Sequence, residues 1–276
     1  MTSDRLIEIT HPDDPRIAEF RDIRERDLTG RESRFIAEGT VVLRLLAEAH
    51  AAQGDFVAEK VLLLRNRIAG LSDIVDAFPP DVPVYVATSE VLDGIVGFHL
   101  HRGVLALGRR KAETELSAFL ERLPRQALVL AGCGISNHDN MGSMFRNAAA
   151  FGADAVLLDE SCCDPLYRKA LRVSVGSVLT MPYCRRSSDV DLLAAIADRG
   201  FAIWSLSPRG EVDIRDVAAS ERMALVVGTE GNGLPQDILS AFNSVRIPQA
   251  PGLDSLNVAT ASGIALFEMA ARIRRI

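Results

Sequence analysis

The chain has 276 residues, 48% of them hydrophobic and 25% charged, with a formal net charge of −6. That length favours two domains over one, and the composition supplies a sizeable apolar core while excluding a disordered chain. The acidic balance gives no bulk attraction to a polyanion, so any nucleic-acid contact must come from a local patch.

The opening MTSDRLIEITHPDD is polar and lacks an apolar signal segment, and no run approaches membrane-spanning length, so a soluble, cytoplasmic protein is expected. Residues 16–27, RIAEFRDIRERD, space Ile17, Phe20 and Ile23 by three, which predicts an exposed amphipathic helix. A strand at Phe35–Ala37 and a helix from Thr40 to about Gly54 follow. VAEKVLLLR and VPVYVAT read as strands, Ser89 as the cap of a helix over EVLDGIVG, and GVLALGRR as a closing strand. This alternation makes a small α/β domain, taken as residues 1–108.

The charged stretch GRRKAETELSAFLERLPRQ, with Pro124, reads as a linker and entry segment to a second domain over 109–276. There the apolar runs QALVLAG, DAVLLD, SVLTMPY, FAIWSLS, MALVVG and SVRIP alternate with helical segments at 141–151, 165–173, 189–199, 235–242 and 257–275. Unbroken apolar strands alternating with helices call for a parallel sheet covered on both faces, with ligands bound at the strands' carboxyl ends. Cys133, Cys162, Cys163 and Cys184 show no C-x-x-C spacing; buried, reduced thiols are expected, and no metal site.

Three stretches carry candidate chemistry. In NHDNMGSMFRNAAAFGAD, Met141, Met144, Phe145 and Ala148 share a helix face, Asn140 suits the N-cap and Gly152 the terminator, leaving Arg146 off the apolar stripe. A capped helix with a solvated arginine explains this stretch equally well. In GTEGNGLP, glycines at 228, 231 and 233 surround Glu230 directly behind the strand MALVV. The turn is neither a P-loop nor a dinucleotide fingerprint, and alone it is explained as a strand-to-helix turn. In IPQAPGLDSLNVATASG, a Pro/Gly loop leads into a long helix that Ser255 or Asp254 suits as a cap. Asn257, placed in the first turn, has no propensity reason to be there.

In this order and spacing, N-x-G-x-x-x-R-x-A-x-x-F-G-A-D, G-x-E-G-x-G-L and I-P…S-L-N-V-A resemble the SpoU/TrmH branch of knotted RNA methyltransferases over about 126–276. LRVSVGSVLTMPY is similar to that family's R-x-S-x-G segment. RFIAEG…VPVYV…HRGVLAL, over about 30–107, is similar to the ribosomal-protein-like RNA-binding domain fused to many members. The resemblance implies a parallel sheet with a deep trefoil knot, S-adenosylmethionine as cofactor, and a homodimer acting on ribosomal or transfer RNA.

Carried over by position, Asn140, Arg146, Glu230, Ser255 and Asn257 form the implied catalytic set. Leu206, Gly228, Thr229, Gly231, Ile247 and Leu256 are the implied cofactor contacts, with the glycines admitting main chain to the cofactor. The implied RNA contacts are Arg31, Arg34 and Arg102; Arg21 and Arg24 are weighed too, against an ordinary solvated helix. Asn137-His138 stand where the family has D-P, and Pro251 where it has glycine. Two other readings stay open: a non-catalytic RNA-binding factor on the same fold, and methylation of a base nitrogen.

Overall fold

A computed structural model of the chain describes residues 5–21, 25–96, 103–111, 114–252 and 254–276. It divides into two compact units. One comprises Met1–Ala112 with Leu166–Thr180, the other Glu113–Pro165 with Met181–Ile276.

The first unit is a mixed five-stranded sheet in the order β1-β4-β3-β5-β2. Its strands are β1 (Leu6–Ile9), β2 (Arg34–Glu38), β3 (Phe56–Leu64), β4 (Val84–Ala87) and β5 (Val104–Arg110). β1, β4 and β3 run parallel, whereas β5 is antiparallel to both β3 and β2. Helix α1 (Glu25–Arg31) precedes β2. Helix α2 (Thr40–Ala51) buries Val42, Leu43 and Leu46, and α3 (Ser72–Ala77) and α4 (Ser89–Val96) complete the unit.

Two expectations are corrected here. The helix over 16–27 is instead a short 3₁₀ turn, Pro15–Phe20, whose Ile17 leaves helical geometry at φ −119°, followed by α1. Burial of Ile17 and Phe20 in the core outweighs the helical spacing of the charges. At α4 it is Thr88 that caps: its Oγ1 accepts from Val91 N at 3.4 Å.

The segment 166–180 also belongs to this unit. Its helix α7 (Arg168–Val173) packs on β2, and Arg168 and Arg172 approach the buried Glu38 at 3.6 and 3.9 Å. Gly176 is left-handed (φ +82°), and a Cβ there would fall 2.6 Å from Leu45 Cδ1. The strand expected over SVLTMPY is consequently a turn, with only Tyr183–Arg185 forming β8. Left-handed backbone at Val175 and Gly176 ends α7 and bars an extended run.

The second unit is a seven-stranded, wholly parallel sheet in the order β10-β12-β9-β11-β6-β7-β8. Its strands are β6 (Ala127–Gly132), β7 (Ala155–Leu158), β8, β9 (Ala202–Leu206), β10 (Val212–Asp213), β11 (Arg222–Val227) and β12 (Asn243–Arg246). One face packs α5 (Leu116–Glu121), α8 (Asp189–Asp198) and α9 (Gln236–Ala241) through Leu120, Leu193, Ile196 and Ile238 onto Val129, Ala131, Ala224 and Val226. Leu128, Leu130 and Leu225 alternate to the opposite face and are fully buried, and α10 (Val258–Arg272) packs on β11 and on α6 (His138–Ala150). Burial on both faces explains the unbroken apolar runs. Among the described residues no helix is long and apolar enough to cross a membrane, and no group of three or more His, Cys, Asp or Glu is placed to hold a metal.

Cys133, Cys162 and Cys184 are buried and Cys163 is half-buried, with no disulfide among them. Burial pushes the Cys133 thiol up to about 12 and that of Cys163 to about 11. On central strand β6, Leu130→Ala should cost about 2–5 kcal/mol by loss of burial and opening of a cavity. Urea denaturation checks this, the expected result being a lower midpoint at unchanged slope.

Candidate active site

The site assembles at the carboxyl ends of β9, β11 and β12, where an open parallel sheet receives ligands. The turns that follow these strands bound a cleft of about 1750 Å³. Leu206, Gly228, Thr229, Gly231, Ile247 and Leu256 all line it, and so do Glu230, Ser255 and Asn257. Asn140 and Arg146 come from α6, outside that lining.

Each position has a local cause. Helix α6 starts at His138, so its N-cap is Asn137, not Asn140 as expected: Asn137 Oδ1 accepts from Asp139 N (2.8 Å) and Asn140 N (3.4 Å). Relieved of capping, the buried Asn140 side chain donates through Nδ2 to Glu230 Oε1. Asn257, not Ser255 or Asp254 as expected, is the N-cap of α10, its Oδ1 accepting from Ala259 N (3.0 Å) and Thr260 N (3.2 Å), so capping propensity does account for it. Its Nδ2 then points back, 2.9 Å from Asn140 Oδ1 and 3.0 Å from Glu230 Oε1. Three segments up to 117 positions apart thus close one hydrogen-bonded set.

Both amides engage the same oxygen of Glu230, and among the described residues its Oε2 takes no hydrogen bond. Ser255 is exposed in the loop before α10. Arg146 is exposed on α6, about a turn and a half beyond Asn140, and is not drawn into the set.

The glycines of the turn have reasons internal to the chain. A Cβ on Gly228 would lie 2.5 Å from the Gly233 carbonyl carbon, because the turn folds back on itself through the pair Thr229–Gly233. Gly231 (φ +99°) and Gly233 (φ +68°) are left-handed and would meet only open space with a side chain. Thr229 Oγ1 donates to Gly233 O at 3.1 Å and locks the loop, leaving Glu230 at its tip.

Residues 127–267 match the model of the SpoU rRNA Methylase family. The chain belongs to that family. It is 38% identical over 279 residues to an uncharacterized tRNA/rRNA methyltransferase of Mycobacterium bovis, covering 95% of this chain and 90% of the relative. Among solved structures it resembles an RNA 2′-O ribose methyltransferase at TM-score 0.76 and 26% identity, covering 98% of this chain and 100% of the other. It shares its fold with the SpoU methyltransferase AviRb of Streptomyces viridochromogenes in complex with AdoMet, at TM-score 0.80 and 19% identity, covering 95% and 100%.

In this SpoU chain the arginines singled out for RNA stand in the first unit or outside the described residues. Arg31 is well exposed, 4.0 Å from Asp27, and Arg34 is paired with Glu32 (3.0 Å) and Glu59 (2.7 Å). Arg21 pairs with Asp13 at 3.0 Å. Arg24 and Arg102 lie outside the described residues.

Asn147 carries no pattern that marks it as a site residue. Its Nδ2 donates to Ala259 O at 2.7 Å, tying α6 to the first turn of α10 just after Asn257. Gly263 makes room for this contact, since a Cβ there would lie 3.0 Å from the same nitrogen. A glycine in mid-helix was the one available hint. Asn147→Ala should cost about 1 kcal/mol and shift the side-chain amide NMR signals of Asn140 and Asn257. Unmoved signals would mean that the aim of Asn257 is set elsewhere.

Proposed function

We propose that the chain transfers the methyl group of S-adenosylmethionine to a ribose 2′-hydroxyl in structured RNA, ribosomal RNA in preference to transfer RNA, in the cytoplasm. The observation that carries this reading is the Asn140–Glu230–Asn257 set, which sits beside a cleft gathering all six implied cofactor contacts. Kinship with proteins named tRNA/rRNA methyltransferase and RNA 2′-O ribose methyltransferase supports it, as does the fold shared with a complex containing the cofactor.

The cleft suits the cofactor by its chemistry: apolar Leu206, Ile247 and Leu256 for a purine and the methylene chain of methionine, with the backbone of the glycine turn for its polar groups. When bound, the cofactor supplies an electrophilic methyl on a sulfonium. The chain's own residues hold the acceptor. Among the described residues Glu230 Oε2 takes no hydrogen bond, so it can accept one from the sugar hydroxyl and receive its proton as the oxygen gains the methyl group, while the two asparagine amides fix the carboxylate and so align the acceptor oxygen. Arg146 is assigned to stabilising negative charge on the sugar oxygen and a neighbouring phosphate, with Ser255 positioning Arg146 or the hydroxyl.

The reading includes the deep trefoil knot implied by the resemblance. It includes an N-terminal domain, residues 1–108, that selects the RNA through Arg31, Arg34 and Arg102, and a catalytic domain over 109–276 that lends its segment 166–180 to the first unit. It also includes a homodimer. Ile264 and Phe267 leave an exposed apolar strip on α10, extended by the edge contact of Phe267 with Phe151 at 5.7 Å. Arg146, exposed outside the cleft, then serves a second copy's site across this face.

Incubation with methyl-labelled cofactor and bulk RNA should give label in ribosomal RNA within alkali-resistant dinucleotides. Label on a base, or none, overturns the ribose reading. Arg146→Ala should abolish turnover while calorimetry still detects cofactor binding; loss of both would make the arginine structural. Phe267→Asp should convert a dimer to monomers by light scattering, with turnover falling in step.

A further inference from the structure

Among the described residues lining the cleft, Arg209 is the single lysine or arginine, against three carboxylates, Glu211, Glu230 and Asp254. It is held on a fixed turn at the end of β9. Ser207 N donates to Val245 O (2.9 Å), Gly210 N to Ser207 O (3.0 Å), and Arg209 N to the Ser207 hydroxyl (3.3 Å). Arg246 clamps the same turn through Nη1, donating to Gly210 O at 2.8 Å and to Glu211 O. Gly210 permits this closeness, because any Cβ there would overlap the Val245 carbonyl. Arg246 is thus spent on the turn. The Arg209 guanidinium is exposed and has no ionic partner among the described residues.

We infer that Arg209 binds the α-carboxylate of the cofactor's methionine moiety, an inference that rests on the cofactor reading above. S-Adenosylmethionine carries two cations, sulfonium and ammonium, and one carboxylate. Acids in excess around one arginine match that distribution, and a guanidinium grips a carboxylate through two parallel hydrogen bonds. The rigid turn means that little side-chain freedom beyond the arginine's own is lost on binding.

The test is calorimetry of the full chain with S-adenosylmethionine and with its decarboxylated analogue, comparing the natural protein with Arg209→Met. The variant should bind the cofactor about tenfold more weakly, as expected for loss of a charge-assisted hydrogen bond. It should bind the decarboxylated analogue as the natural protein does. Equal weakening for both ligands would overturn the inference by making Arg209 structural. Unchanged cofactor affinity, with a salt dependence of RNA binding reduced by about one ion, would overturn it in favour of a phosphate. If the natural protein binds neither ligand, the cofactor reading itself falls.

Discussion

The structure turns on one carboxylate oxygen. Glu230 Oε1 receives the amides of Asn140 and Asn257, and Asn257 also donates to Asn140 Oδ1. A carboxylate can accept several donors at once, whereas each amide must offer its donor side to the acid and keep its oxygen for another task. Asn257 manages this because its oxygen caps α10, so one side chain both starts a helix and orients the acid. Helix start and site geometry are therefore the same event, and α10 cannot fray at its first turn without loosening Glu230.

Packing holds this arrangement in register. The sheet gives β11 a fixed end at Val227, the turn closed by Thr229 and Gly233 carries Glu230 beyond it, and Asn147 sets the height of α10 against α6. Gly134 adds to this, since a Cβ there would lie 2.6 Å from Thr229 Cγ2, and its N–H is anchored to the buried Asp159 at 3.0 Å. Glycine is thus used where backbone must touch backbone or side chain, and the polar groups brought close by it are hydrogen-bonded.

Much of this was legible from residue patterns. Fully buried strands announce themselves as apolar runs, and the apolar face of α6 follows from Met141, Met144, Phe145 and Ala148. The first turn of α6 is ambiguous in the sequence because Asn137 and Asn140 are equally good capping residues, and only tertiary structure shows that one caps while the other reaches Glu230. β1, LIEI, is only four residues at a sheet edge with Ile9 alone buried, too short for a strand period to show. The roles of Asn147 and the turn around Arg209 depend on partners 112 and 36 positions away, which no local pattern encodes. The glycine turn reads as functional in the sequence, yet Gly228 is accounted for by the turn's own closure.

The placement of residues 166–180 has a practical bearing on dissection of the molecule. The chain leaves the parallel sheet after β7, lays α7 on β2 and Gly176 against α2, and returns to form β8. A single cut near residue 112 would therefore not liberate two self-sufficient pieces. The shorter piece would lose part of its cover, and the longer would carry Leu171 and Val178, fully buried in the intact chain, without β2 and α2. Exposing such side chains invites aggregation, so an excised C-terminal half that precipitates would be reporting on its missing scaffold, not on the sheet that remains.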